Sequence, residues 1–132
     1  MRGYLLIDDE AVFNTIHAKI ISLVDEQASI TTCVSSYEAL DLLKGAAQRK
    51  KLPDMVFLDI NMPEMNGFEL LDELSELPGN PFASIGFYML TSSLDERDLQ
   101  RARTYPFISG YHSKPMTKSM LEELIRAGNQ PD

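Results

Sequence analysis

The sequence predicts an α/β fold built from five consecutive strand–helix units, with a parallel sheet covered by helices on both faces. Three observations lead there. Short apolar runs alternate with longer stretches of helical periodicity along the whole chain. Strands separated by helices imply parallel pairing through crossovers. The 132 residues suit one domain with a core of its own, and no repeat or low-complexity segment interrupts the pattern.

The elements follow in order. Residues 4–8 read as a buried strand. From residue 12 to 24, Phe13, Ile16, Ile20 and Val24 recur at helical spacing. Residues 29–34, rich in Thr, Ile and Val, form a second strand. Ser35 precedes Glu38 by three positions, a helix-start signal, and opens a helix with Ala39, Leu43 and Ala46 on one face. Pro53 cannot continue that helix and pushes Leu52 towards an extended conformation. Residues 55–59 are the third strand. Met62-Pro63-Glu64-Met65-Asn66-Gly67 carries turn chemistry, and Phe68, Leu71 and Leu74 mark the next helix. Pro78-Gly79-Asn80-Pro81 stops it. Residues 85–90 form a fourth strand, unusual for its Gly86. Residues 95–103 form a polar helix with Leu99 and Ala102 as its apolar part, and 110–113 a short fifth strand. Thr117 can cap a last helix carrying Met120, Leu121, Leu124 and Ile125. The expectation is one domain over 1–132, with its core at about 3–127 and no output domain.

Composition excludes several functions. Net charge is −8, which opposes nucleic-acid binding, because a duplex is held by clustered cations. The densest basic run, Arg49-Lys50-Lys51, falls where a helix ends and complements its dipole. Cys33 is the only cysteine and forms no intrachain disulfide, which fits a reducing compartment. No apolar run approaches the roughly 20 residues of a membrane helix. Asp8-Asp9-Glu10 cuts short the apolar start, so it is no signal peptide. A cytoplasmic location is the expectation, with no membrane and no nucleic acid among the partners.

Ligands of open parallel sheets bind beyond the carboxyl ends of the strands. Those ends here are Asp8-Asp9, Asp59, Thr91, and Ser113-Lys114-Pro115. If the first and third strands are neighbours, three carboxylates converge and raise each other's pKa. A hard cation such as Mg²⁺ resolves that conflict. With the Lys114 ammonium and the Thr91 hydroxyl, the set offers a nucleophile, charge neutralisation and donors, which is what a phosphoryl group requires.

Ile7-Asp8-Asp9-Glu10, Leu58-Asp59-Ile60-Asn61-Met62-Pro63 with Gly67, Leu90-Thr91-Ser92 and Lys114-Pro115, in that order, resemble the receiver domain of two-component response regulators, of the chemotaxis-regulator-like, single-domain kind. The resemblance covers nearly the whole chain. It implies a flavodoxin-like sheet of order 2-1-3-4-5. It implies that Asp59 is the phosphoacceptor and that Asp8, Asp9, Asp59 and the Asn61 carbonyl hold Mg²⁺. It implies that Thr91, Ser92 and Lys114 bind the phosphoryl group, that the Lys114–Pro115 bond is cis, and that Tyr111 is the aromatic switch residue. Asn61 and Ser93 stand where the family tunes hydrolysis. The implied partners are a histidine kinase or histidine phosphotransfer protein and a downstream protein target. The chain would act as a monomer or a phosphorylation-dependent dimer, a switch and not a turnover enzyme. Output by direct contact and output by phosphorelay both stay open.

Blander readings exist for individual residues. Asp8-Asp9 and Thr91 could be helix caps, and Tyr111 a half-buried strand residue. His17 is expected on the surface of the first helix, and His112 lines a strand; neither is given a catalytic role. Met62 and Met65 are expected to pack in the loop. A haloacid-dehalogenase-type phosphatase would need an acid two residues after the nucleophile, where Asn61 stands. A nucleotide or flavin module would need a Gly-rich loop where Asp8-Asp9-Glu10 stands.

Overall fold

A computed structural model gives the fold and describes residues 2–92 and 95–128. Five strands, β1 (Gly3–Ile7), β2 (Ser29–Cys33), β3 (Met55–Asp59), β4 (Gly86–Thr91) and β5 (Gly110–Ser113), alternate with five helices. These are α1 (Ala11–Val24), α2 (Ser36–Arg49), α3 (Gly67–Ser75), α4 (Glu96–Ala102) and α5 (Lys118–Gly128). The sheet order is β2-β1-β3-β4-β5 and every pairing is parallel. This is the doubly wound arrangement expected from the alternation, and element ends agree with the sequence reading to within a residue or two.

Side chains alternate across the sheet, so each strand serves two cores. Leu5, Ile7, Val56, Leu58, Phe87 and Met89 point to one face and meet Leu40 and Leu43 of α2, Leu71 and Leu74 of α3, and Ala102 of α4. Tyr4, Leu6, Met55, Phe57, Tyr88 and Leu90 point to the other and meet Ile21 of α1 and Leu121 of α5. The central strand β3 is buried at all five positions, which is why it reads as an unbroken apolar run rather than an alternation. Burial of each of the four apolar side chains of β3, Met55 to Leu58, contributes roughly 1.5–3 kcal/mol.

Local signals set the helix starts. Ser35 Oγ accepts from the Glu38 N–H at 3.1 Å at the start of α2. At α3, Asn66 and Glu69 form a reciprocal capping box: the Glu69 N–H donates to Asn66 Oδ1 at 2.9 Å, and the Asn66 N–H donates to Glu69 Oε1 at 3.0 Å. Thr117 Oγ1 accepts from the Met120 N–H at the start of α5. Each cap is worth ~1 kcal/mol. At the end of α2, Lys50 adopts a left-handed conformation and closes the helix beside Arg49.

Gly86 has a packing reason. A Cβ there would lie 2.8 Å from the Tyr88 ring, which folds back over the strand start. The long loop before β4 is pinned by Phe82, which is buried, meets Phe87 edge-on and packs tilted against Phe107.

The buried face of α1 matches the sequence expectation only in part: Ile20 and Val24 pack against the core, and Ile16 does not. Asn14, His17 and Ile21 point inward, whereas Val12, Ile16 and Leu23 are 59%, 39% and 63% exposed. Both faces of this helix carry apolar residues, so periodicity alone does not select one. His17, expected on the surface, is 2% exposed. Its Nε2 accepts a hydrogen bond from the Met116 N–H at 3.0 Å, and that partner is what makes a buried imidazole tolerable.

Candidate functional site

The site lies at the carboxyl ends of β1, β3, β4 and β5. Asp8 follows the last residue of β1 and Asp59 ends β3; because β1 and β3 are hydrogen-bonded neighbours, their carboxylates share one edge. Ligand oxygens of Asp8, Asp9 and Asp59 all lie within 4.8 Å of one another. Asp8 and Asp59 are each 3% exposed, while Asp9 stands more open at the mouth. The Asp8 carboxylate also accepts from the Glu10 N–H at 2.9 Å, which fixes its rotamer.

Lys114 reaches this cluster from the far side. Its Nζ lies 2.9 Å from Asp8 Oδ2 and 3.3 Å from Asp59 Oδ1, and its backbone N–H donates to the Thr91 carbonyl at 2.8 Å. The Lys114–Pro115 peptide bond is cis, as expected. Thr91 ends β4 with no exposed surface. The sheet thus brings together five of the expected residues: Asp8, Asp9, Asp59, Thr91 and Lys114.

The others sit around this group. Asn61 is exposed in the loop after β3, with its backbone N–H hydrogen-bonded to the Asp59 carboxylate. Ser92 is exposed one residue past Thr91. Tyr111 is half-buried on β5 opposite Met89, packed against the α2–α3–α4 core face, and its hydroxyl is buried. Ser93 lies outside the described residues.

Charge in the cluster is not balanced. Burial raises the Asp59 carboxyl to about 6, the Asp8 charge pushes it the same way, and Lys114 with the Asn61 N–H only partly offsets them. Burial alone would lower the Lys114 ammonium, but its bonds and charge contacts with Asp8 and Asp59 outweigh that and raise it. The Tyr111 hydroxyl is pushed up to about 12, first by burial and then by Asp98 and Asp95.

Three residues take roles here that their sequence signals did not assign. The Asn14 amide donates to the carbonyls of Asp8 and Cys33, both at 3.1 Å, and so ties the ends of β1 and β2 to α1. The Phe13 ring faces the Lys114 ammonium at 4.2 Å, a cation–π contact. Gly67 permits α3 to start directly against β3: a Cβ there would lie 2.7 Å from the Asp59 carbonyl oxygen. A polar residue at the helical spacing 14, 17, 21 was the available signal for Asn14, but one that only the docked helix makes readable.

Among known proteins, the family model described as the response regulator receiver domain matches residues 4–126. An uncharacterized 14.6 kDa protein of Leptolyngbya boryana is 34% identical over 92% of this chain and 86% of its own length. An uncharacterized response regulatory protein of Staphylococcus epidermidis is 25% identical over 92% of this chain but only 44% of its own length. A two-component response regulator from Cytophaga hutchinsonii superimposes with a TM-score of 0.88 at 29% identity, covering 97% of this chain and 96% of that one. A receiver protein from Dyadobacter fermentans gives 0.84 at 26% identity, covering 99% and 100%. The fold and the acidic edge define a phosphoacceptor-type signalling module. This chain belongs to the response regulator receiver domain family.

Proposed function

We propose that the protein is a phosphorylation switch whose acceptor is Asp59, loaded by a histidine kinase or a histidine phosphotransfer protein. The observation that carries this reading is the convergence on Asp59 of two further carboxylates and one buried ammonium, all within 4.8 Å or by direct ion pair. No metabolic substrate is required by such a set; it is built to receive one highly charged group.

The donor set suits Mg²⁺. Three carboxylates at one edge, one of them pushed up to about 6 by burial and its neighbour, are short of positive charge. Asp8, Asp9, Asp59 and the Asn61 carbonyl are the residues that would hold the ion. When bound, the ion neutralises phosphoryl oxygens and favours the ionised acceptor.

The residues of the chain then act as follows. An Asp59 oxygen attacks the phosphorus of a phosphohistidine in line. The P–N bond breaks, and the imidazole leaves with its electron pair and takes up a proton. The Lys114 ammonium, held between Asp8 and Asp59, turns to pair with the new phosphoryl oxygens. The Thr91 hydroxyl and the Ser92 backbone donate to the same group. Movement of Thr91 towards it opens space for Tyr111, and the face made by α4, β5 and α5 changes shape. Of the α4 residues only Ala102 is buried, so the helix is lightly anchored and can follow. The altered face engages a downstream protein. Mg²⁺ apart, no cofactor is needed, and the chemistry is self-directed phosphorylation and dephosphorylation rather than turnover.

The test is intact-mass spectrometry after incubation with acetyl phosphate, with and without Mg²⁺, beside Asp59→Asn. The expected result is a Mg²⁺-dependent gain of one phosphoryl group that the variant lacks. A folded wild type that gains nothing would leave a constitutive binding module as the reading.

A further inference from the structure

His17 makes a contact that the phosphoryl chemistry does not explain. It sits in the second turn of α1, buried, and its Nε2 accepts the Met116 N–H at 3.0 Å across 99 positions of sequence. A backbone N–H can only donate, so Nε2 is the unprotonated nitrogen and the ring is neutral with its proton on Nδ1. Burial lowers the imidazole below its ordinary value. The Lys114 charge acts in the same sense and the Asp8 charge opposes it.

Four positions before it, Phe13 stands on the same side of α1, with ring centroids 5.9 Å apart and planes inclined by 33°. The face of the Phe13 ring lies 4.2 Å from the Lys114 ammonium. One helix face therefore holds both flanks of the Lys114–Pro115 step: the ring of Phe13 at the Lys114 side chain, and the imidazole of His17 at the Met116 backbone. Met116 is itself 1% exposed and joins the core on the α1–α5 side. Its N–H is too deep to find water if the imidazole is removed.

We propose that His17, with Phe13, is a positioning residue for phosphoryl transfer: it anchors the Met116 backbone to α1 and so keeps the Lys114 ammonium poised between Asp8 and Asp59. This rests on the reading of Asp59 as acceptor. Lys114 is a long side chain with several freely rotating bonds, and its aim depends on where its backbone is held. The anchor one turn into α1 supplies that hold from outside β5. A displacement of about 1 Å at such a group costs up to ~100-fold in rate. His17 acts through geometry only and touches neither the acceptor nor the phosphoryl group.

The experiment compares His17→Leu, which removes the acceptor, with His17→Gln, whose side-chain carbonyl can reach the Nε2 position. Four quantities are read: thermal midpoint, Mg²⁺ midpoint, rate of phosphorylation by acetyl phosphate at saturating Mg²⁺, and the NMR signals of the Met116 amide and the Lys114 ammonium. The expected result is a folded His17→Leu with its Mg²⁺ midpoint within about twofold of wild type and a rate ~10- to 100-fold lower. Its Met116 amide loses exchange protection and its Lys114 ammonium signal broadens. His17→Gln recovers the Met116 protection and most of the rate. A folded His17→Leu at the wild-type rate overturns the proposal, as do Leu and Gln variants that are equally slow. If the Leu variant does not fold, His17→Asn, too short to reach Met116, takes its place: slower than Gln supports the proposal, equal to Gln overturns it. If wild type itself takes no phosphoryl group, the functional reading fails. The Lys114 signal then decides the positioning alone, which stands if that signal is protected in wild type and lost without the acceptor, and falls if it is unchanged.

Discussion

The Lys114 ammonium stands 2.9 Å from the Asp8 carboxylate, although the two residues are 106 positions apart in the chain. The same ammonium lies 3.3 Å from Asp59. One cation thus spans two buried carboxylates, and the third, Asp9, lies nearer solvent. The site's residual negative charge follows from that count, and so does its fit to a divalent cation.

Replacing Lys114 with Met leaves two buried carboxylates facing one another. Removing one partner of a buried ion pair costs about 3–5 kcal/mol. In chelator at neutral pH, urea melts of Lys114→Met should show a loss of that order. Mg²⁺ should restore much of it. Melts that Mg²⁺ shifts in neither protein would mean that the acidic edge does not hold the ion.

Asp59 gives a pH dependence of definite sign. Its native carboxyl is raised to about 6 from an ordinary 3.8, burial leading and Asp8 second. A raised native pKa means that its stabilising contribution is fully present below about pH 4 and is lost as pH rises through about 6. Without metal, Asp59→Asn should therefore be more stable than wild type at neutral pH. The gap should close as the pH is lowered from 7 towards 4. Thermal melts in chelator across that range provide the check, and a gap that widens in acid would refute it.

Gly67→Ala places a methyl group 2.7 Å from the Asp59 carbonyl oxygen and 3.0 Å from the Ile60 Cα. Both are backbone atoms and neither can rotate away. The start of α3 must shift off β3, at a cost of about 2 kcal/mol, and the Asp59 backbone shifts with it. The urea midpoint should fall with an unchanged slope, and phosphorylation by acetyl phosphate should slow. A wild-type midpoint would show that the capping box of Asn66 and Glu69 tolerates the displacement.

Cys33 is 1% exposed, and its thiol is pushed up to about 12, by burial first and then by the Glu38 carboxylate. The thiolate is the reactive form, so Ellman's reagent should label native protein at least ~100-fold more slowly than unfolded protein, as labelling must wait for local opening. Rapid native labelling would place the end of β2 in solvent.

The residues at the strand ends were legible because each carries a local signal. A strand that ends in Asp8-Asp9, or in Asp59 before Asn61 and Met62-Pro63, announces its chemistry in consecutive letters. The capping box at Asn66 and Glu69 was equally present in the letters, as a polar residue three positions before a glutamate, but the turn residues around it hid it. The pinning of the loop by Phe82 was not legible, because its ring partners Phe87 and Phe107 come from two other segments.

The sequence by itself determined the order and type of the elements and the identity of the acidic edge. These follow from periodicity, turn chemistry and the rule that ligands gather at carboxyl ends of parallel strands. Only the tertiary structure decided which face of α1 is buried. Asn14 and His17 go inside, and Val12, Ile16 and Leu23 stay outside, against their hydrophobicity. The reason is that a buried polar group is stable only when its hydrogen-bond partners are supplied. For Asn14 they are the carbonyls of Asp8 and Cys33, and for His17 it is the N–H of Met116. Those partners come from the residue after β1, the end of β2 and the turn after β5, segments that only the assembled sheet brings to one helix.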